Sequence, residues 1–268
     1  MEILNQTSGS GFILLGLSDI PHLQIIFFVL FLIMYLIMLS GNVLLIIVVR
    51  INRKLQTPMY FFLSNLSMID IGFSSTIVPK ILINTLSKDR SISLVGCALQ
   101  MYLHMALGAA ESASIHTPLT FQLPFCKSHH VNHFFCEMPP FFKLSCKDTR
   151  LNEIFMYVAA QIIILFAFFL TLISYIRIIS TILKTISSQG RDKAFSTCAS
   201  HLTVVSIYYG AIIFIYLKPP TAQSPEIDKV ISIIYTAVTP MLNPIIYSMR
   251  NKDVKDTIIF KLCRRPLK

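Results

Sequence analysis

LVGCALQMYLHMALGAAESASI (Leu94–Ile115) is the stretch on which the fold turns. It is 22 residues long, and a helix needs about 20 to cross a bilayer. It is also polar for that task, because it carries Gln100, His104 and Glu111. The text after it, HTPLTFQLPFCKSHHVNHFFCEMPPFFKLSCKDTRLN (His116–Asn152), has three Cys, four Pro and no helical period. Residues 116–153 therefore read as a long ordered loop. Whether Leu94–Ile115 crosses decides the orientation of everything that follows it.

Outward from this middle, five blocks have the length or hydropathy of spans. Leu23–Val49 is interrupted only by Gly41-Asn42. Met59–Val78 is thinner and carries Ser64, Asn65, Ser67 and Asp70. Ile154–Ile176 is the most apolar. Ala199–Leu217 and Val230–Met249 are separated by a short loop with Pro219, Pro220 and Pro225. Of the 268 residues, 54% are hydrophobic and 13% charged. A soluble domain of that size needs far more polar side chains to cover its surface. The reading is an all-α, polytopic transmembrane helix bundle, a single membrane domain over residues 1–268 with the lipid bilayer as its solvent.

The formal charge of +10 is not spread like a nucleic-acid surface, since no aromatic residues interleave with it. Lys and Arg follow the first, third and fifth blocks, where 14 of the 23 lie: Arg50 to Lys54, Arg177 to Lys193, and Arg250 onward. That is the bias of cytoplasmic loops. It puts residues 1–22 outside and residues 250–268 in a cytoplasmic tail. The sequon Asn5-Gln6-Thr7 fits an outside N-terminus and makes Asn5 a glycosylation candidate. Met1–Leu17 is too polar for a cleavable signal, so the first block reads as a signal anchor. The parity holds only if Leu94–Ile115 adds no net crossing. If that block did cross, the basic tail would end outside.

Several segments resemble the olfactory (odorant) receptor family of rhodopsin-like G-protein-coupled receptors. They are LQTPMYFFLSNLSMID (Leu55–Asp70), KAFSTCASHL (Lys193–Leu202) and PMLNPIIYSMRN (Pro240–Asn251), with Gly41-Asn42 and Gly96-Cys97 in support. The departure lies in the middle. The family's third helix ends in Met-Ala-Tyr-Asp-Arg-Tyr, followed by a cytoplasmic loop and a fourth helix. Here Glu111-Ser112 runs almost directly into text resembling the family's second extracellular loop. About 45 residues are missing at the usual element lengths. The expected fold is an incomplete seven-helix receptor, with five full spans and a truncated third helix.

The resemblance implies the site residues. Cys97, Cys126, Cys136 and Cys146 sit on the outer side, where disulfides persist. Four cysteines allow three pairings, and the family's pattern implies Cys97–Cys136 and Cys126–Cys146. Cys263 beside Arg264-Arg265 is a candidate for palmitoylation. His129, His130 and His133 lack clean zinc-ligand spacing, so they read as polar side chains of a lid and no metal site is expected. Asp70 and Glu111 are carboxylates inside apolar blocks, and each needs a partner, a proton or an ion. By resemblance they face each other near Asn243 and could hold Na+. Asn243, Pro244 and Tyr247 match the family's activation motif, in which Pro244 should distort the last helix.

Position in the family also gives a ligand pocket. His104, Met105, Gly108 and Ala109 would line one side, and Tyr208, Tyr209 and Ala211 the other. Aromatic and Met side chains in helices are more often simply packing. The implied ligand is a small volatile organic molecule. The implied partner is a heterotrimeric G protein of the stimulatory olfactory type, acting on adenylyl cyclase at the plasma membrane. Loss of the Asp-Arg-Tyr segment implies impaired signalling. The alternative is a non-signalling remnant retained in the endoplasmic reticulum. An ion pathway built on Asp70 and Glu111 would need internal symmetry, which is not evident.

Overall fold

The computed structural model describes residues 11–56, 58–126, 128–184, 188–216, 224–250 and 254. Asn5, Cys263 and most of the basic tail lie outside them. Two compact units hold the described residues. One draws on Met1–Ile33, Gly72–Ala160 and Pro219–Ser232, the other on Met34–Ile71, Gln161–Lys218 and Ile233–Lys268.

The long elements are α1 (Pro21–Ile51), α2 (Pro58–Leu86), α3 (Leu94–Phe121), α5 (Arg150–Leu183) and α6 (Ser188–Tyr216). A last helical run comprises α7 (Pro225–Ile233), a π segment (Ile234–Val238) and α8 (Thr239–Arg250). Four stretches are long and apolar enough to cross a membrane: Pro21–Ile51, Tyr60–Leu86, Arg150–Thr181 and Pro225–Ile246. None of the most apolar window of α5 is buried by protein, so lipid is the natural cover for side chains such as Phe166 and Ile162. The expectation of five full spans needs one adjustment. α6 is 29 residues long, but only Leu202–Tyr216 is apolar. The Arg191, Asp192, Lys193 and His201 positions keep its first half polar.

The first unit carries a small lid. Strand β1 (Phe12–Leu14) pairs antiparallel with β2 (Ser91–Ile92) and parallel with β3 (His130–Val131). Gly11 lies so close to β2 that a Cβ there would collide with the Ile92 carbonyl. Gly16 then turns the chain at φ +74°, a backbone that glycine adopts at little cost. Beneath the strands, Phe12, Leu14, Cys97, Met101, Cys136, Met138 and Phe141 form one buried cluster. Short helix α4 (Met138–Phe142) contributes the last two.

The middle departs from the expected loop at both ends. Helix α3 continues through Phe121, and α5 already starts at Arg150. His116, Thr117 and Thr120 are buried on α3's final turns, so protein contacts stabilise a helix whose mixed polarity shows no period. Pro118 is inside it, and the Thr120 hydroxyl donates to the His116 carbonyl at 2.8 Å.

α3 is also not straight. A 28-residue helix would hold its ends about 42 Å apart. Yet Phe12 pairs with Ile92, two residues before α3 begins, and its ring centroid lies 6.4 Å from that of Phe121, α3's last residue. Phe141 closes the triangle at 4.9 Å from Phe12 and 5.7 Å from Phe121. Both ends of α3 therefore meet under one strand. The chain descends along α2, where Leu107 reaches Gly72, and returns to the side it left. Within this unit α3 is re-entrant.

Candidate functional site

In the second unit, α1, α2 and α8 meet at a buried polar knot. Pro244 has no N–H to donate, so the carbonyl of Pro240, four residues earlier, loses its helical partner. The Asn42 side-chain amide supplies one, donating to the Pro240 carbonyl at 3.3 Å and to that of Met38 at 3.0 Å. Neighbouring Gly41 makes this approach possible. A Cβ there would stand 2.8 Å from the Pro244 ring. The helix continues through Pro244, and the irregularity instead lies upstream in the π segment, where the Thr239 hydroxyl donates to the Ile234 carbonyl at 3.0 Å.

The same knot holds Asp70. The Asn243 side-chain amide donates to its Oδ2 at 2.8 Å, with Asp70 7% and Asn243 4% exposed. A carboxylate inside a membrane is costly without such a donor. Ser67, one turn earlier on α2, is buried as well. Asp70 and Asn243, expected together, are thus brought together. The side chains of Glu111 and Tyr247 lie outside the described residues. Asn42 was not among the expected site residues, although an amide in an otherwise apolar block was its signal.

The first unit holds the cysteines and the α3 side of the expected ligand set. Cys97 is bonded to Cys136 and Cys126 to Cys146, with Cα separations of 5.5 and 5.8 Å. Gln100 ties three elements at this point. Its amide donates to the Thr76 carbonyl at 2.9 Å, and its oxygen accepts from the Cys136 backbone N–H at 2.9 Å. Nothing in the reading of α3 assigned Gln100 that task. His104 lies between Phe73 and Phe135, at centroid distances of 4.4 and 5.3 Å. Met105 packs against the cluster under the lid. The surroundings of Gly108 and the Ala109 side chain lie outside the described residues.

On α6, in the second unit, the Tyr209 hydroxyl is 3.4 Å from that of Thr171, and its ring meets Phe168 edge-on. Tyr208 neighbours Tyr209 at 5.8 Å, and Ala211 is buried.

The lid's histidines divide. His129 and His130 are exposed, whereas His133 is buried beside Glu137. Burial, then the nearby Lys229 charge, pushes the His133 imidazole down to about 3, so the ring is neutral at pH 7. Its Nε2 stands 3.6 Å from Glu137, too far for a good hydrogen bond. Arg90 fastens the N-terminal segment by donating to the Leu15 carbonyl at 2.8 Å and to Asp19 at 2.7 Å. A cavity of about 20 Å³ under this segment is lined by Phe27, Asn84, Arg90 and Phe134. That is room for about one water, not for an organic ligand.

Long apolar helices, a disulfide-tied outer lid and a buried Asp–Asn link beside Asn-Pro-x-x-Tyr define a rhodopsin-like membrane receptor. Squid rhodopsin has the same fold, with a TM-score of 0.53 at 15% identity over 93% of this chain and 89% of its own. The chain belongs to the olfactory receptor family. A family model described as "Olfactory receptor" matches residues 31–122 and 115–265. The dog "Olfactory receptor-like protein OLF1" is 44% identical, covering 94% of this chain and 95% of its own length. Human "Olfactory receptor 5I1" is 43% identical over 94% of each.

Both findings mark the junction. The two family matches overlap at residues 115–122, the last turns of re-entrant α3 and its C-cap. The alignment with the dog relative runs over 295 positions, against 268 residues here. At least 27 positions, the difference, therefore face a gap in this chain.

Proposed function

We propose that this chain is an odorant-recognition scaffold uncoupled from signalling. Its relatives' architecture would bind a small volatile organic ligand and pass the event to a stimulatory G protein and adenylyl cyclase. The re-entrant course of α3 carries the reading. An α3 that returns to its starting side offers no inner end, and the Asp-Arg-Tyr segment that would engage a G protein is absent from the sequence. Ligand contact through His104, Met105, Gly108 and Ala109, and through Tyr208, Tyr209 and Ala211, belongs to this reading. So does a sodium ion or shared proton at Asp70 and Glu111, supported by the burial of Asp70 against the Asn243 amide. Ionised Asp70 supplies the hard oxygen donor such a cation needs.

Retention in the endoplasmic reticulum is the second reading. Its support is α2, where Ser64 and Asn65 are only half-buried within a span, leaving polar atoms toward lipid. Expression with a cyclic AMP reporter and surface labelling tests both. The expected result is no odorant-evoked cyclic AMP. Robust surface delivery with a ligand-dependent rise would refute the uncoupled reading.

A further inference from the structure

We propose that an anionic phospholipid seats at the α1–α2 junction of the second unit, with its phosphate on Arg50 and one acyl chain along Phe61 and Met68. A groove of about 400 Å³ opens there, and its lining includes Arg50, Gln56, Phe61, Ser64, Asn65 and Met68. That size falls in the ~300–1,000 Å³ range of sites that hold organic ligands.

The lining divides by chemistry. Phe61 is 63% and Met68 47% exposed, an apolar floor inside a membrane-spanning helix. Ser64 and Asn65 each donate to the Phe61 carbonyl, at 3.0 and 2.8 Å. Each side chain thereby places one donor on its own helix, which lowers the cost of a hydrocarbon neighbour. At the mouth, Arg50 is the exposed last-turn cation of α1. Its carbonyl accepts from the Gln56 side chain at 3.3 Å, which shapes the turn around the mouth. Arg53 is exposed three residues on, and the described lining holds no carboxylate. A cation at the mouth of an apolar floor complements a phosphate with a tail. An apolar helix would leave Arg50 unpaired. The charge bias puts this end in the cytoplasmic leaflet, whose anionic lipids favour basic pockets between helices.

The test is native mass spectrometry of the full chain, purified in mild detergent, with phosphatidylserine or phosphatidylcholine of matched acyl chains added. One phosphatidylserine should be retained about fivefold over phosphatidylcholine, the effect of the roughly 1 kcal/mol that one basic residue contributes. Arg50→Gln should remove that preference, and Arg50→Lys should keep most of it. Met68→Trp fills the floor while leaving the charge, and it should lower retention of both lipids. Excess inorganic phosphate should not displace the lipid. Equal retention of the two lipids by the wild-type chain would overturn the proposal. So would unchanged retention in Arg50→Gln, displacement by phosphate, or a second polypeptide held in place of lipid.

Discussion

The two units hold themselves together by different means. The first is cross-linked: two disulfides, a three-stranded sheet and a ring of phenylalanines fasten a short helical hairpin under a lid. The second relies on close helix approach and a few amide hydrogen bonds, from Asn42 to Pro240 and from Asn243 to Asp70. The difference teaches where a receptor tolerates loss. An internal deletion that spares the cysteines leaves the first unit its own staples. Among its described residues the second unit has none, so every missing helix face has to be made good by lipid or by the polar knot.

Removing a staple should therefore have the largest effect. The Cys97–Cys136 bond closes a separation of 39 residues, and the chain-entropy estimate for such a loop is about 4 kcal/mol. Cys136→Ser should strip protection from the lid, read as rapid proteolysis between residues 122 and 149. Unchanged protease resistance would mean that the sheet and aromatic cluster suffice without it.

A smaller loss is expected in the second unit. Asn243→Leu removes the amide that donates to Asp70, and a hydrogen bond to a charged group contributes about 1.5–3 kcal/mol. The thermal midpoint should fall. Adding Asp70→Asn should restore part of the loss, because an amide is less costly than a carboxyl to leave buried without that donor. A double variant as unstable as Asn243→Leu would show that the contact matters only for packing.

The smallest effect separates the units by pH. His133 is held neutral by burial and by Lys229, while an unfolded histidine titrates near 6.5. Below that value the unfolded chain takes up a proton that the folded lid does not. Stability should fall as pH drops from about 6.5 toward about 3. His133→Gln should flatten the slope between pH 6.5 and 4.5 in lid hydrogen exchange. An equal slope in the variant would move the effect to another group.

The spans and the Asp70–Asn243 neighbourhood were legible in the sequence because hydropathy and a few fixed motifs carry them. The re-entrant course of α3 was not. Its returning half, from Ala113 to Phe121, is stabilised by buried contacts of His116, Thr117 and Thr120, which leave no period in the text. Strand β1 escaped for a similar reason. Three residues paired on both edges carry too little pattern to stand out within a polar N-terminal stretch. Gln100 looked like a mark against a span, but it is the tie between α2, α3 and the lid.

Everything downstream depends on α3 turning back. Glycosylation tags placed in separate copies of the chain, one within residues 122–129 and one after Lys268, measure that directly. A re-entrant α3 predicts a glycosylated loop and an unglycosylated tail. An unglycosylated loop with a glycosylated tail would mean that α3 crosses, and would contradict the fold described for the middle of the chain.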